Sequence, residues 1–120
     1  MSVFENREFN GHELVTFGKY ARLETRGRVT GLPRSATVGF VEEPDGSILV
    51  AARPGAHWAE NLFDDPHCRV TIGERTWNAV AEVLEGRDFG FAIREQILRY
   101  GTPAETLGHG LAFRLRREPS

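Results

Sequence analysis

The turn Glu43-Pro44-Asp45-Gly46 separates two short runs of different character, and that separation limits the fold more than any other feature. Before it, Ser35 to Glu42 alternates, with Ala36, Val38 and Phe40 on one face. After it, Ser47 to Ala52 is almost continuously apolar, as suits a central strand buried on both faces. Proline presets φ for a turn and glycine accepts positive φ, so the two runs form a β-hairpin. A hairpin of this kind needs further strands to bury its apolar face.

The chain supplies them. Its 13 glycines and 6 prolines spread turn signals along 120 residues, which points to a β-rich fold. Tyr20 to Thr25 alternates as a strand. Cys68 to Ile72 and Thr76 to Leu84 flank the turn Gly73-Glu74-Arg75. Leu111, Phe113 and Leu115 alternate with Ala112, Arg114 and Arg116 in a final strand. Two segments have helical spacing. His57 to Phe63 directs Trp58, Leu62 and Asn61 to one side. Phe89, Ala92, Ile93, Gln96, Ile97 and Tyr100 follow Asp88, an N-cap residue type, and Gly101-Thr102-Pro103 stops that helix. His12 to Tyr20 fits a short helix or a strand, and residues 1–11 are a polar peripheral arm. The expected fold is mainly β with helices: about six antiparallel strands with two or three short helices, curled into a β-barrel or left as an open sheet.

Residues 1–120 read as one domain. A net charge of -2 gives no basic field for nucleic acid. One cysteine, Cys68, excludes an intrachain disulfide and fits a reducing compartment. No apolar run approaches the ~20 residues of a transmembrane segment, and the start of the chain lacks a signal core. A cytoplasmic location is expected. His12, His57, His67 and His109 match no zinc spacing, so no metal is expected.

Two loops have the composition of an anion site. Arg26 to Arg34 contains Gly27, Arg28, Thr30, Gly31 and Arg34. A phosphate needs inward backbone N–H groups, small residues that allow close approach, and arginines that donate paired bonds. A plain turn with solvated arginines explains the loop about as well. The loop lacks the Gly-Lys-Ser/Thr ending of a P-loop and the parallel βαβ setting of a dinucleotide fingerprint. Arg53-Pro54-Gly55 follows the most apolar strand, where amides can face a planar ring or merely turn into a helix. Trp58 suits a core anchor or a stacking platform, and Asn61 can bond a loop backbone or a ligand. Tyr20, Tyr100 and His109 are the proton donors available near such a pocket, and a structural role suits each of them. Cys68 suits a small core residue.

In combined order, Gly27-Arg28-Val29-Thr30-Gly31-Leu32-Pro33-Arg34, Ala52-Arg53-Pro54-Gly55, Trp58-Ala59-Glu60-Asn61-Leu62 and Asp65-Pro66 before Arg69-Val70-Thr71-Ile72 resemble the deazaflavin (F420)-dependent nitroreductase family. The resemblance runs from about Leu23 to Leu84. It implies an FMN-binding split-barrel-like fold, a split β-barrel. It also implies hydride transfer from reduced F420 to an electron-poor small molecule such as a quinone or nitro compound. By likeness, Arg28, Thr30 and Arg34, on a loop shaped by Gly27, Val29, Gly31 and Pro33, would hold the cofactor phosphate. Ala51, Ala52, Arg53, Pro54 and Gly55 would line the ring or the acidic tail. Trp58 and Asn61 would brace the junction, and Tyr100 is the one candidate catalytic residue. Val29 stands where the family often carries a cation. FMN in the same barrel is the alternative cofactor. A non-catalytic protein that binds a cofactor or another apolar ligand is the alternative function, and pairing across a sheet face would give a homodimer.

Overall fold

A computed structural model describes residues 15–119, without the side chains of residues 102, 103, 105 and 106. The expected arm and His12 lie outside the described residues.

The chain forms β1 (Ala21–Arg26), β2 (Pro33–Val38), β3 (Phe40–Glu42), β4 (Ile48–Ala52), α1 (His57–Asp64), β5 (His67–Ile72), β6 (Arg75–Val83), α2 (Gly86–Tyr100), a 3-10 helix (Thr102–His109) and β7 (Leu111–Arg117). All strand pairs are antiparallel. The sheet has seven strands in the order β2-β1-β5-β6-β7-β4-β3.

That order brings the sheet round on itself. β2 and β3 lie at its two ends, yet they are consecutive pieces of one stretch of chain. Val38 pairs with Ala21 on β1, and two residues later Phe40 pairs with Val50 on β4. The alternating run therefore changes partner at Gly39, which is why the strands number seven rather than about six. Glycine leaves room there for side chains of α2. A Cβ on Gly39 would lie 2.9 Å from Tyr100 Cε2 and 3.1 Å from Gln96 Oε1. The backbone groups loosened by the break find partners on α2. Gln96 Nε2 donates to Gly39 O at 3.3 Å and to Leu49 O at 3.2 Å. Phe40 N donates to Tyr100 Oη at 2.9 Å.

β4 explains the unbroken apolar run. Ile48, Val50 and Ala52 join the main core inside the curl, with Leu23, Phe113 and Leu115. Leu49 and Ala51 face the other way into a smaller core under α2, with Ala92, Ile93 and Ala112. All five residues of β4 are buried. α1 packs on β1 and β2, with Ala59 and Leu62 in the main core and Trp58 6.3 Å from Phe113 between ring centroids.

α2 starts earlier than the Asp88 signal suggests. Gly86, at φ 57°, opens it after Glu85, and Asp88 falls within the first turn, where its charge still meets the positive helix end. Gly101, at φ 87°, stops it after Tyr100 as expected. The 3-10 helix that follows was not foreseen. Among the described residues, no helix is long and apolar enough to cross a membrane.

Candidate cofactor site

The loop between β1 and β2 is held closed by its own backbone. Gly27 N donates to Leu32 O at 2.9 Å, and Gly31 N donates to Gly27 O at 2.7 Å. Leu32 N donates to Thr30 Oγ1 at 3.2 Å, so the threonine hydroxyl folds into the loop. A Cβ on Gly27 would stand 3.0 Å from that hydroxyl and 3.1 Å from Leu32 O, which favours glycine there.

Asn61 fixes the loop to α1. It is 3% exposed, and its Oδ1 accepts from Arg28 N at 3.3 Å and from Arg28 Nη1 at 2.8 Å. Its Nδ2 donates to Thr25 Oγ1 at 3.2 Å. Arg28 Nη2 reaches Glu60 Oε2 at 2.7 Å. Asn61 is thus a backbone brace, and the Arg28 guanidinium is already paired. Arg34 and Arg53 differ: among the described residues, neither guanidinium has a hydrogen-bond or ion-pair partner.

Two cavities adjoin here. The first, about 570 Å³, is lined by Gly27, Arg28, Thr30 and Arg34 from the loop and by Trp58 and Asn61 from α1. The second, about 340 Å³, is lined by Ala51, Ala52 and Arg53 from the end of β4 and by Gly39, Gln96 and Tyr100. Ala56 and Trp58 belong to both linings, so one wall separates them. Neither lining contains an aspartate or glutamate. Ala56 sits at the N-cap of α1 and offers no side-chain acceptor, so the first-turn amides beside both cavities go uncapped. Unpaired guanidinium groups, uncapped helix amides and the absence of competing carboxylates fit an anionic, flat-ringed group.

The anticipated residues divide accordingly. Arg28, Arg34, Trp58 and Asn61 meet at the first cavity, with Val29 87% exposed at its rim. Ala51, Ala52 and Arg53 lie at the second. Gly31 and Pro33 instead border a separate hollow beside Arg26 and Arg69. Pro54 and Gly55 line neither cavity; Gly55, at φ 80°, turns the chain toward α1. Tyr100 lines the second cavity, but its hydroxyl receives Phe40 N and Arg99 Nε and lies 2.9 Å from Lys19 O. Gly39 and Gln96 were missed. A glycine inside an alternating strand was the available signal for the first. Cys68 is buried, and desolvation pushes its thiol up to about 12, which leaves no thiolate at neutral pH.

The model of a protein family described as F420H(2)-dependent quinone reductase matches residues 2–100. The chain belongs to that family. F420H(2)-dependent quinone reductases of two Mycobacterium tuberculosis strains are each 24% identical to it over 92 residues, 73% of this chain and 62% of theirs. The chain therefore spans less than two-thirds of the length of these curated relatives. Solved structures share its fold. An F420-H2 dependent reductase (FDR-A) superposes with a TM-score of 0.70 at 22% identity, covering 82% of this chain and 94% of that one. The heme storage protein HutZ of Vibrio cholerae gives a TM-score of 0.72 at 23% identity, covering 91% and 88%. A third structure, described as a domain-swapped dimer, gives 0.71 at 21% identity, covering 82% and 80%.

Proposed function

We propose that this chain is a split β-barrel that binds F420 across the two cavities and reduces a quinone-like or otherwise electron-poor small molecule. The observation that carries the reading is the pair of arginines without partners among the described residues, Arg34 and Arg53, on adjoining cavities whose linings hold no carboxylate. Arg34, the Gly27–Thr30 backbone and the first turn of α1 hold the phosphate. Ala56, Trp58, Ala51, Ala52 and Arg53 would line the ring. When bound, the reduced deazaflavin supplies the hydride. The chain's own residues position it. Asn61 and Glu60 fix Arg28 and with it the loop, while Trp58 and the end of β4 keep one face of the slot apolar and dry.

Titration with F420, followed by the cofactor's fluorescence, tests this. Arg34→Ala should weaken binding by roughly 1.5–3 kcal/mol, the value of a hydrogen bond to a charged group. Unchanged affinity would remove Arg34 from the site, and tighter binding of FMN would replace the cofactor. A second reading is a cofactor carrier without turnover. The backbone bonds that occupy the Tyr100 hydroxyl favour it. Tight binding of reduced F420 that no member of a quinone panel oxidises would select it. We place the protein in the cytoplasm, and the likeness to a domain-swapped dimer makes a homodimer the assembly to look for by sedimentation.

A further inference from the structure

Gln96 is the chain's only glutamine and is 2% exposed in the wall of the second cavity. Its Nε2 donates to two backbone carbonyls, Gly39 O at 3.3 Å and Leu49 O at 3.2 Å. These bonds fix which way the amide faces, because a flipped amide would set its oxygen against two carbonyl oxygens. Among the described residues, nothing donates to the remaining atom, Oε1. That oxygen is not sealed in either. Trp77 Nε1 is the one fully buried side-chain nitrogen or oxygen without a partner among the described residues, so Oε1 keeps an opening. The opening is the cavity that Gln96 lines.

Gly39 belongs to the same device. A side chain there would begin 3.1 Å from Oε1 and cover it. Tyr20 and Thr37 add hydroxyls that rotate and can donate as well as accept, so Oε1 is the side-chain acceptor of this lining that cannot also donate. Trp58, Ala51, Ala52 and Val38 are apolar walls, Arg53 only donates, and the Tyr100 hydroxyl is held by backbone groups. The cavity therefore offers one fixed neutral acceptor and one cationic donor along aromatic walls. Its complement is a flat heterocycle whose edge carries an N–H beside a carbonyl.

We propose that Gln96 Oε1 accepts a hydrogen bond from the imide N–H of the cofactor's pyrimidinedione ring, making Gln96 the residue that reads the ring edge. This rests on the cofactor reading above, and FMN presents the same edge. The residue's Nε2 positions the strand break, and its oxygen selects the ligand.

The test pairs ligand chemistry with substitution. Dissociation constants are measured by fluorescence for a deazaflavin nucleoside and its imide-N-methyl derivative, on the wild-type protein and on Gln96→Met. Methylation removes the donor and should weaken wild-type binding about tenfold or more. In Gln96→Met the ratio of the two constants should fall to near one. A purely structural role for Gln96 shifts both constants together and leaves their ratio unchanged. Equal wild-type affinity for the two ligands overturns the proposal and leaves the cofactor reading standing. Binding of neither overturns both. Discrimination that persists in Gln96→Met assigns the edge to another residue and overturns the role of Gln96. Should that variant fold poorly, carbonyl-labelled glutamine in the wild-type protein gives a single NMR signal. That signal should move with the parent ligand and stay with the methylated one; equal movement with both overturns the proposal.

Discussion

The two ends of β4 treat arginine in opposite ways. At the Ile48 end, the Glu43–Ser47 turn and β7 form a matched network. Arg114 Nε lies 2.7 Å from Glu43 Oε1, with the side chains 15% and 19% exposed. Arg116 Nε reaches Glu82 Oε2 at 3.0 Å, and Ser47 Oγ donates to Asp45 Oδ1 at 2.6 Å. The hydrogen bond that Arg114 donates to Glu43 raises the pKa of Arg114 further. At the Ala52 end, Arg53, like Arg34 on the adjoining cavity, has no carboxylate partner among the described residues. Five residues of strand, roughly 17 Å, separate two uses of one side chain. Where charge serves the fold, each cation is neutralised from within. At the other end no counter-charge is supplied among the described residues, which is what the proposed anionic ligand requires.

The largest effect should come from the glycines that shape the two ends. Gly110 precedes β7 against Ala52, and a Cβ there would overlap the Ala52 carbonyl oxygen. Its φ of -110° is open to any residue, so the whole cost is steric. Gly110→Ala should lose about 3 kcal/mol or more in urea unfolding, since backbone on both sides must move. Gly46 has the reverse situation: φ is 89° with open space around it. Gly46→Ala should cost about 1–2 kcal/mol through backbone conformation alone. Equal losses would mean that the Ala52 end is no more tightly built than an exposed turn.

A pair of arginine substitutions separates the two ends next. Arg114→Ala strips a mostly buried Glu43 of its cation and should cost about 2 kcal/mol of stability, with F420 affinity unchanged. Arg34→Ala removes a side chain with no hydrogen-bond or ion-pair partner among the described residues; stability should stay within about 0.5 kcal/mol while cofactor binding weakens. If Arg34→Ala destabilises as much as Arg114→Ala, then Arg34 is a structural residue and the contrast between the ends is lost.

Much of this could be read from local pattern. The turn at Pro44-Asp45-Gly46, the double burial of β4 and the stop at Gly101 each depend on neighbouring residues, so the sequence displays them. The change of partner at Gly39 does not. It depends on Gln96 and Tyr100, some sixty residues away. For the same reason, Ser35 to Glu42 reads as one strand. The arginine loops were legible by composition, but which arginine is free was not. Arg28 and Arg34 look alike in sequence, and only the placement of Glu60 and Asn61 on α1 distinguishes them. Pro54 and Gly55 carry a turn signal and lie on the approach to α1, outside both cavity linings.

A smaller effect separates the ends by acid. Hydrogen bonds from the Ser47 side chain and backbone hold Asp45 below its ordinary 3.8, with Arg116 and Arg114 adding a little. A lowered carboxylate contributes stability above the ordinary value and loses it as pH falls through the lowered one. Acid should therefore loosen the Glu43–Ser47 turn below about pH 4. Asp45→Asn should lower stability slightly near neutrality, where the wild-type carboxylate contributes, and flatten the curve in the acid window, so that the two proteins converge at low pH. A curve as steep as that of the wild type would show that Asp45 plays no part in the network's acid response.

The smallest change is an addition. Val29 is 87% exposed at the rim of the first cavity, where nothing packs on it tightly enough to resist replacement. Val29→Arg should leave stability within about 0.5 kcal/mol of wild type, as surface substitutions usually do. It adds a third cation to a cavity whose lining holds no carboxylate, with Glu60 already paired to Arg28. If an anion sits there, F420 affinity should rise by about 0.3–1 kcal/mol at low salt, and the gain should shrink as salt is raised. The salt dependence carries the argument. A gain that ignores salt comes from packing, whereas no gain at low salt means the ligand's charge lies elsewhere and the unpaired arginines of this end are merely solvated.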